Sequence, residues 1–373
     1  MSMSSASPAS DGATYAPDPL PAPVVSEGDF VFAAVGLDHG HIYGMCAGLI
    51  GAGATLKWVY DPDPAKVATF VERFPQAAVA RSEAEVLDDP AVQLVAGAAV
   101  PSDRCALGLR VIEAGKDYFT DKAPLTTFDQ LAAARAAVAR TGRKYAVYYS
   151  ERVHVETAVF AGQLVEQGAI GRVLQVVAFG PHRLNAPSRD PYFFDKARYG
   201  GILTDIGSHN IDQILHYTGT TDATVVHSQI ANYAHPQHPG LDDFGDANLV
   251  TSTGATGYLR CDWFTPDGLQ TWGDGRLFIL GTEGFIEQRK YMNLGTDEGP
   301  GHLFLANGSE ETHYRVAGKV GYPYFGQLVL DCLERTENAM TQAHAFKAIE
   351  LALQAQANAT DLSDFDRTAA ATA

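Results

Sequence analysis

The chain has 373 residues, too many for one ordinary hydrophobic core, so two domains are expected. Hydrophobic residues make up 46% and charged residues 19%, a soluble globular profile, and the formal net charge of −17 argues against nucleic acid and anionic membranes, which need a basic face. No apolar run approaches the ~20 residues of a membrane span, and the four cysteines (Cys46, Cys105, Cys261, Cys332) show no Cys-x-x-Cys, which fits a reduced cytoplasmic protein without disulfide framework or zinc knuckle.

Residues 1–28 are rich in Ser, Ala and Pro, have no hydrophobic period and lack a basic start, so they read as a disordered tail rather than a secretory signal. From Phe30 apolar runs alternate with helical patterns. The runs are Phe30 to Val35, Leu56 to Tyr60, Val92 to Ala99, Asp117 to Thr120 and Tyr145 to Tyr149. The helical patterns are Pro64 to Phe74, Arg104 to Ala114 and Phe128 to Arg140. That alternation predicts a parallel sheet wrapped by helices over residues 29–150, an α/β domain. After Ser150 a helix (Val155 to Gln167) leads into Arg172 to Phe179, and a long loop runs from Pro181 to Asp195. Strand-like runs follow at Ala223 to Tyr233, Ala247 to Thr253, Gly257 to Phe264, Arg276 to Leu280 and Phe285 to Tyr291, with hairpin signals in TGATG and LGTEG. Residues 151–321 are therefore expected to form an α+β domain with a predominantly antiparallel sheet. Helices at Tyr322 to Arg335 and Ala343 to Ala357 (residues 322–360) are expected to pack back toward the first domain, and residues 361–373 to fray.

Three stretches carry candidate chemistry. Gly200 to Asp212 reads GGILTDIGSHNID. If it is helical from about Leu203, Asp205 and His209 lie one turn apart on one face, and a carboxylate beside an imidazole suits a general base. The plainer alternative is a capping Asp205 and a packed His209. The second stretch is the segment after the first strand, GLDHGHIYG. A glycine that ends a strand before a helix lets backbone N–H groups meet a pyrophosphate. Gly36 holds the first position of Gly-x-Gly-x-x-Gly, Asp38 stands at the second and His41 near the third, with Gly40 and Gly44 alongside. Asp61 ends the second strand, where an acid bonds the ribose of NAD and repels the 2′-phosphate of NADP; the alternative is a helix cap before Pro64. The third is TDKAPL, where Lys122 ends the fifth strand; the following proline holds its neighbour extended and makes a cis bond there a candidate. An ordinary surface lysine is the alternative reading.

Together these residues resemble the Gfo/Idh/MocA family of NAD(P)-dependent oxidoreductases, named for glucose–fructose oxidoreductase and inositol dehydrogenase. The likeness runs from about Phe30 to Ala357. The family motif Gly-Gly-x-x-x-Asp-x-Gly-x-His-x-x-Asp is intact at Gly200, Gly201, Asp205, Gly207, His209 and Asp212. Arg152 and Leu164 to Val173 (LVEQGAIGRV) look like its link into the second domain. Three positions depart. The glycine loop is altered, Asp121 replaces the Glu of Glu-Lys-Pro with Ala123 inserted before Pro124, and Cys105 stands where many members have His. The resemblance implies a Rossmann-type first domain and a catalytic set of Lys122, Asp205 and His209. It implies cofactor contacts from Gly36, Asp38, Gly40, His41, Ile42, Asp61, Pro101, Asp121, Lys122 and Arg152.

The expected activity is hydride transfer between NAD and a secondary hydroxyl of a sugar, cyclitol or glycoside. His209 would act as base, titrating near neutrality, with Asp205 orienting it or a substrate hydroxyl and Lys122 supporting the alkoxide. The rivals are a redox-neutral glycosidase holding NAD tightly and a ligand-sensing regulator of the same fold. The loop Pro181 to Asp195 is a candidate substrate lid, offering His182, Arg183, Arg189, Tyr192 and Phe194, with Trp263 as a stacking face; the aromatics could equally be core. His235-x-x-His238 near Asp242, Asp243 and Asp246 lacks sustained ligand spacing, so no metal is expected. Alternating apolar residues in VVHSQIANY and GYLRCDWF favour a homodimer or homotetramer.

Overall fold

The computed structural model describes residues 15–294 and 299–363. The first sheet contains β1 (Val31–Val35), β2 (Thr55–Tyr60), β3 (Ala78–Val79), β4 (Leu94–Gly97), β5 (Asp117–Asp121) and β6 (Tyr145–Tyr148). They are all parallel, in the order β3-β2-β1-β4-β5-β6. The crossovers carry α1 (His41–Gly51), α2 (Pro64–Arg73), α3 (Glu83–Leu87), α4 (Pro101–Glu113) and α5 (Phe128–Thr141). Helices on both faces bury β4 and β5 at every position, which is why β4 reads as an unbroken run of apolar and small residues and why the aspartates at the two ends of β5 are buried. Strand order reverses between β1 and β4, and this reversal opens a crevice at the carboxyl ends of the strands. The side chain that caps α2 is Asp63, which accepts from Ala65 N; Asp61 is thus free of that duty.

The chain then passes through α6 (Ser150–Val153) and α7 (Glu156–Glu166) into β7 (Val173–Pro181). Three helices follow: α8 (Lys196–Tyr199), α9 (Ile202–Asp205) and α10 (Gly207–Tyr217). The strands β8 (Ala223–Ala231), β9 (Phe244–Thr251), β10 (Thr256–Asp262), β11 (Arg276–Gly281), β12 (Gly284–Arg289), β13 (His302–Asn307) and β14 (Glu311–Arg315) complete most of a second sheet. The last elements are α11 (Pro323–Glu334), α12 (Gln342–Ala357) and β15 (Thr360–Asp361). The sheet has nine strands, ordered β14-β13-β12-β11-β7-β10-β9-β8-β15, antiparallel except at β7–β10 and β8–β15. Both expected hairpins form, β9–β10 and β11–β12. The pair β13–β14 was not foreseen, because β14 is an edge strand of largely polar residues without the apolar alternation that marks a half-buried strand.

The C-terminal helices join the two sheets. Phe325 of α11 lies over Gly48 of α1, where an added Cβ would stand 2.2 Å from its ring. Gln342 at the start of α12 exchanges two hydrogen bonds with the backbone of Tyr145, both 2.9 Å, and so satisfies the open edge of β6. The far end of α12 reaches the second sheet, where Ser228 Oγ donates to Ala355 O at 2.8 Å.

The expected disorder of residues 1–28 is corrected for residues 15–28, which strap across the body. Tyr15 is buried, Val24 N donates to Ala52 O at 2.9 Å, and Pro21 and Val24 lie against Gly321 and Gly326. A proline-rich strap needs only a few apolar anchors and so shows no period. At the other end Asp361 pairs with Ile230 and Leu362 N bonds Ile230 O, so fraying does not begin there. Residues 1–14 and 364–373 of the two expected tails lie outside the described residues.

Candidate active site

The site grows from the glycine pair. Gly200, at φ +94, ends α8, and Gly201, at φ +87, starts α9; a Cβ on Gly201 would meet Gln356 at 2.2 Å. Gln356 accepts from Leu203 N (2.9 Å) and donates to Asp242 (3.0 Å), which fixes this turn against α12. Asp205, the last residue of α9, then faces the end of β5. Lys122 Nζ donates to Asp205 Oδ1 at 2.7 Å, with both side chains 6% exposed. Burial would raise the Asp205 carboxyl, but Lys122 overrules it and holds the pKa below the usual value.

The helix breaks at Ile206, so Asp205 and His209 belong to two helices and the expected Asp205–His209 bond is not made. Asp205 is committed to Lys122 instead. His209 is buried, its Nδ1 has no partner, and its ring looks toward His41 at 6.3 Å between centroids. Burial first, then the charges of Lys122 and His41, push its pKa well below 6.5. The imidazole is therefore neutral at neutral pH.

Asp121, fully buried, organises the neighbouring turn. It accepts from His41 Nδ1 (2.8 Å), Arg104 Nη2 (3.0 Å) and Lys122 N (2.7 Å). His39 Nδ1 lies 2.8 Å from it, off the axis of a hydrogen bond, and burial brings this imidazole down to about 4, so it is neutral there. Arg104 also donates to Ala99 O (2.6 Å) and to the carbonyls of Lys122 and Ala123, so one guanidinium braces the whole lysine turn. The cis bond lies at Lys122–Ala123, one residue before the expected position. His39, His41 and Asp121 offer ligand atoms within 4.8 Å of one another. Arg104 already balances that carboxylate, so the group reads as a charge-matched clamp. Arg104 and His39 were missed by sequence reasoning; an arginine on the buried face of α4 was the available signal.

On the cofactor side, Gly36 takes φ +76 and a Cβ there would meet Ala99 Cβ at 3.0 Å. Asp61 accepts from Leu37 N (2.7 Å) and Asp63 N (2.8 Å), tying the glycine turn to the end of β2. Asp38 accepts from Lys66 Nζ and from Val100 N (3.1 Å). Gly40 precedes α1 without a side-chain cap, and the first turn of α1 carries no acid. Ile42 is buried in that turn, and Pro101 starts α4 across the crevice. An uncapped helix start beside a glycine turn, with a carboxylate at the next strand end, fits a dinucleotide. Arg152 stands apart from this set: its guanidinium forks onto Asp212 at 2.7 and 2.9 Å.

The lid loop covers the crevice, with Tyr192 OH reaching Asp38 O at 3.5 Å. Arg183 is committed to Asp267 (2.8 Å) and to Leu269 O (2.5 Å), so it braces residues 265–272. His182 donates from Nδ1 to Gly180 O (3.0 Å) and abuts the buried Trp263 at 5.5 Å. Burial brings His182 down to about 4. Behind His209 a narrow cleft is lined by His182, Asn210, Trp272, Gln288 and the pair Glu151–Lys290, joined at 2.6 Å. These partners lie far apart in the chain and carried no sequence signal. His235 and Asp243 bond one another at 2.8 Å, and His238 stacks on Phe194 at 3.8 Å, so that loop's polar groups are used internally.

Comparisons with known proteins show which family and fold the chain resembles. A family model described as the GFO/IDH/MocA C-terminal domain matches residues 159–287. A solved structure from Erwinia carotovora atroseptica SCRI1043, provisionally described as an oxidoreductase, is 52% identical; it covers 90% of this chain and 100% of its own, with a TM-score of 0.87. The scyllo-inositol 2-dehydrogenase (NAD(+)) of Bacillus subtilis (strain 168) is 26% identical over 285 residues, 74% of this chain and 79% of its own. A levoglucosan dehydrogenase in complex with NADH and levoglucosan shares the fold, at 18% identity and a TM-score of 0.72, over 88% of this chain and 97% of its own.

Proposed function

The chain belongs to the Gfo/Idh/MocA family of oxidoreductases, and on that premise we propose that it transfers hydride between NAD and a secondary hydroxyl of a sugar, cyclitol or glycoside. The observation that carries this reading is the Lys122–Asp205 ion pair of 2.7 Å beside the buried, partnerless His209 Nδ1, at the carboxyl ends of the first sheet. Gly36, Gly40, His41 and Ile42 would hold the pyrophosphate at the start of α1, and Asp61 the adenosine ribose. NAD, when bound, supplies the hydride acceptor. His209, kept neutral, takes the hydroxyl proton. Lys122 donates a charged hydrogen bond to the oxygen on which negative charge develops, and Asp205 aims Lys122. The relative acting on scyllo-inositol and the neighbour holding levoglucosan support a polyhydroxylated substrate. The four cysteines are free and buried, which suits a reducing compartment such as the cytoplasm, and the open face of the second sheet suits a homodimer or homotetramer. Among the described residues no helix is long and apolar enough to cross a membrane.

A screen of NADH formation against sugars, sugar acids and polyols tests the reading. Accumulation of NADH with one substrate class is expected. Cleavage of a glycoside with no NADH released would replace it with redox-neutral chemistry.

A further inference from the structure

We propose that the substrate is an acidic sugar, carrying a carboxylate as uronic and aldonic acids do, and that Arg189 of the lid binds that carboxylate while the carbinol lies at Lys122 and His209. The proposal rests on the dehydrogenase reading of the same site and narrows it to a substrate class.

Arg189 is a half-buried cation in an aromatic box. Its guanidinium carbon lies 4.5 Å from the ring centre of Phe193, 4.9 Å from Trp263 and 5.1 Å from Trp272. Nε donates to Leu184 O (2.9 Å) and Nη2 to Arg183 O (3.1 Å), which fixes the plane and leaves Nη1 uncommitted. The other cations around the site each have a carboxylate: Lys122 has Asp205, Arg104 has Asp121, Lys290 has Glu151 and Arg183 has Asp267. Arg189 has none within ion-pair distance among the described residues. A cation withdrawn from water without a counter-charge is costly, and a ligand anion cancels that cost.

The box roofs the reaction centre. On one side Phe193 abuts His39 at 6.1 Å, beside the Asp121 clamp. On the other, Trp263 and Trp272 abut His182 at 5.5 and 6.4 Å, at the mouth of the cleft that His209 lines. Trp263 Nε1, buried beside the guanidinium, also lacks a partner and offers a second donor. A single planar guanidinium and an indole N–H match the flat fork of a carboxylate. A phosphate dianion would call for more positive charge than one arginine supplies in a chain of net charge −17.

The test measures binding and turnover separately, on the full chain with NAD present. Glucuronate and gluconate are compared with glucose and myo-inositol by calorimetry and by NADH formation, in wild type, Arg189→Gln and Arg189→Lys, with thermal midpoints confirming the fold. The expected result is an acid-over-neutral preference of at least about tenfold in kcat/KM, lost in Arg189→Gln and partly kept in Arg189→Lys, which retains charge without the fork. Equal losses on acid and neutral sugars in Arg189→Gln, a wild-type preference for neutral sugars, or tighter binding of glucose 6-phosphate than of glucuronate would each overturn the proposal. If no sugar yields NADH, the dehydrogenase reading fails by itself. Glucuronate binding that is lost in Arg189→Gln would then still support the carboxylate site, and no binding at millimolar concentration would sink it.

Discussion

His209 is a neutral imidazole before any substrate arrives. Burial, Lys122, His41 and His182 lower its pKa well below 6.5, against an upward pull from Asp121. In the proposed role oxidation needs the neutral imidazole, so its rate would be lost only as pH falls through that lowered pKa. The pH–rate profile should then be flat across neutrality, with its acid limb well below 6.5; the titration near neutrality expected from an unperturbed histidine is corrected by burial. His209→Ala should lower kcat by ~100-fold or more. Lys122→Met removes a cation that holds the pKa down and leaves Asp205 uncompensated, so it should slow turnover and move the acid limb to higher pH. Near-normal turnover in His209→Ala, with the limb abolished in Lys122→Met, would reverse the two roles. Asp61 carries the cofactor prediction. Its carboxylate stands at the end of β2, and Lys66, the nearby cation, is engaged by Asp38. NAD should bind at least tenfold tighter than NADP, ~1.4 kcal/mol, and Asp61→Ser should narrow that ratio in calorimetry.

Three helices meet at one buried carboxylate. Asp212 of α10 holds Arg152 of α6 by two bonds and His344 of α12 at 2.8 Å. Burial pushes the Asp212 carboxyl up, but Arg152 and His344 prevail and keep it at about 2. That value lies below the unfolded one of about 4, so the stability it contributes is full above pH 4 and lost as pH falls toward 2. The contribution is on the order of 2 kcal/mol. Urea midpoints followed from pH 5 to pH 2 should drop more steeply in wild type than in Asp212→Asn. At pH 7 the same variant should cost about 3–5 kcal/mol, because it strands Arg152 in the interior. Equal pH slopes in the two proteins would show that the acid lability lies elsewhere. The structure places Arg152 in this joint through its two bonds to Asp212.

Among the described residues the second sheet is covered by α7, α10 and α12 on one face only. Strand pairing lines up Thr224, Val250, Thr256, Gln175, Leu280 and Phe285 in one row across the other face. Val250, Leu280 and Phe285 are 42%, 38% and 37% exposed, apolar side chains that share this row with Thr224, Thr256 and Gln175. A second copy of the chain laid on this face would bury the row on both sides. Light scattering at micromolar concentration should show a dimer or tetramer, and Leu280→Asp with Phe285→Asp should yield a folded monomer. A wild-type monomer at that concentration would rule the interface out.

Local pattern alone determined the parallel first sheet and the hairpins of the second, while the grouping of Lys122, Asp205 and His209 was implied by the family resemblance. Strand periods, glycine turns and the run from Gly200 to Asp212 are short-range features, written in neighbouring residues. What packs against them is not. The break at Ile206 gave Asp205 to Lys122 rather than to His209, because a buried carboxylate goes to the cation that folding brings nearest. Arg104 beneath Asp121, Glu151 against Lys290 and Arg189 under its three rings each join segments from different elements or loops. The ordering of residues 15–28 likewise depends on grooves that exist only once α1 and α11 have met. Burial and the partners that folding supplies then decided the chemistry: exclusion of water keeps His209 neutral, Arg152 and His344 keep the buried Asp212 charged, and Arg189 is left unmatched, all of which only the tertiary structure determines.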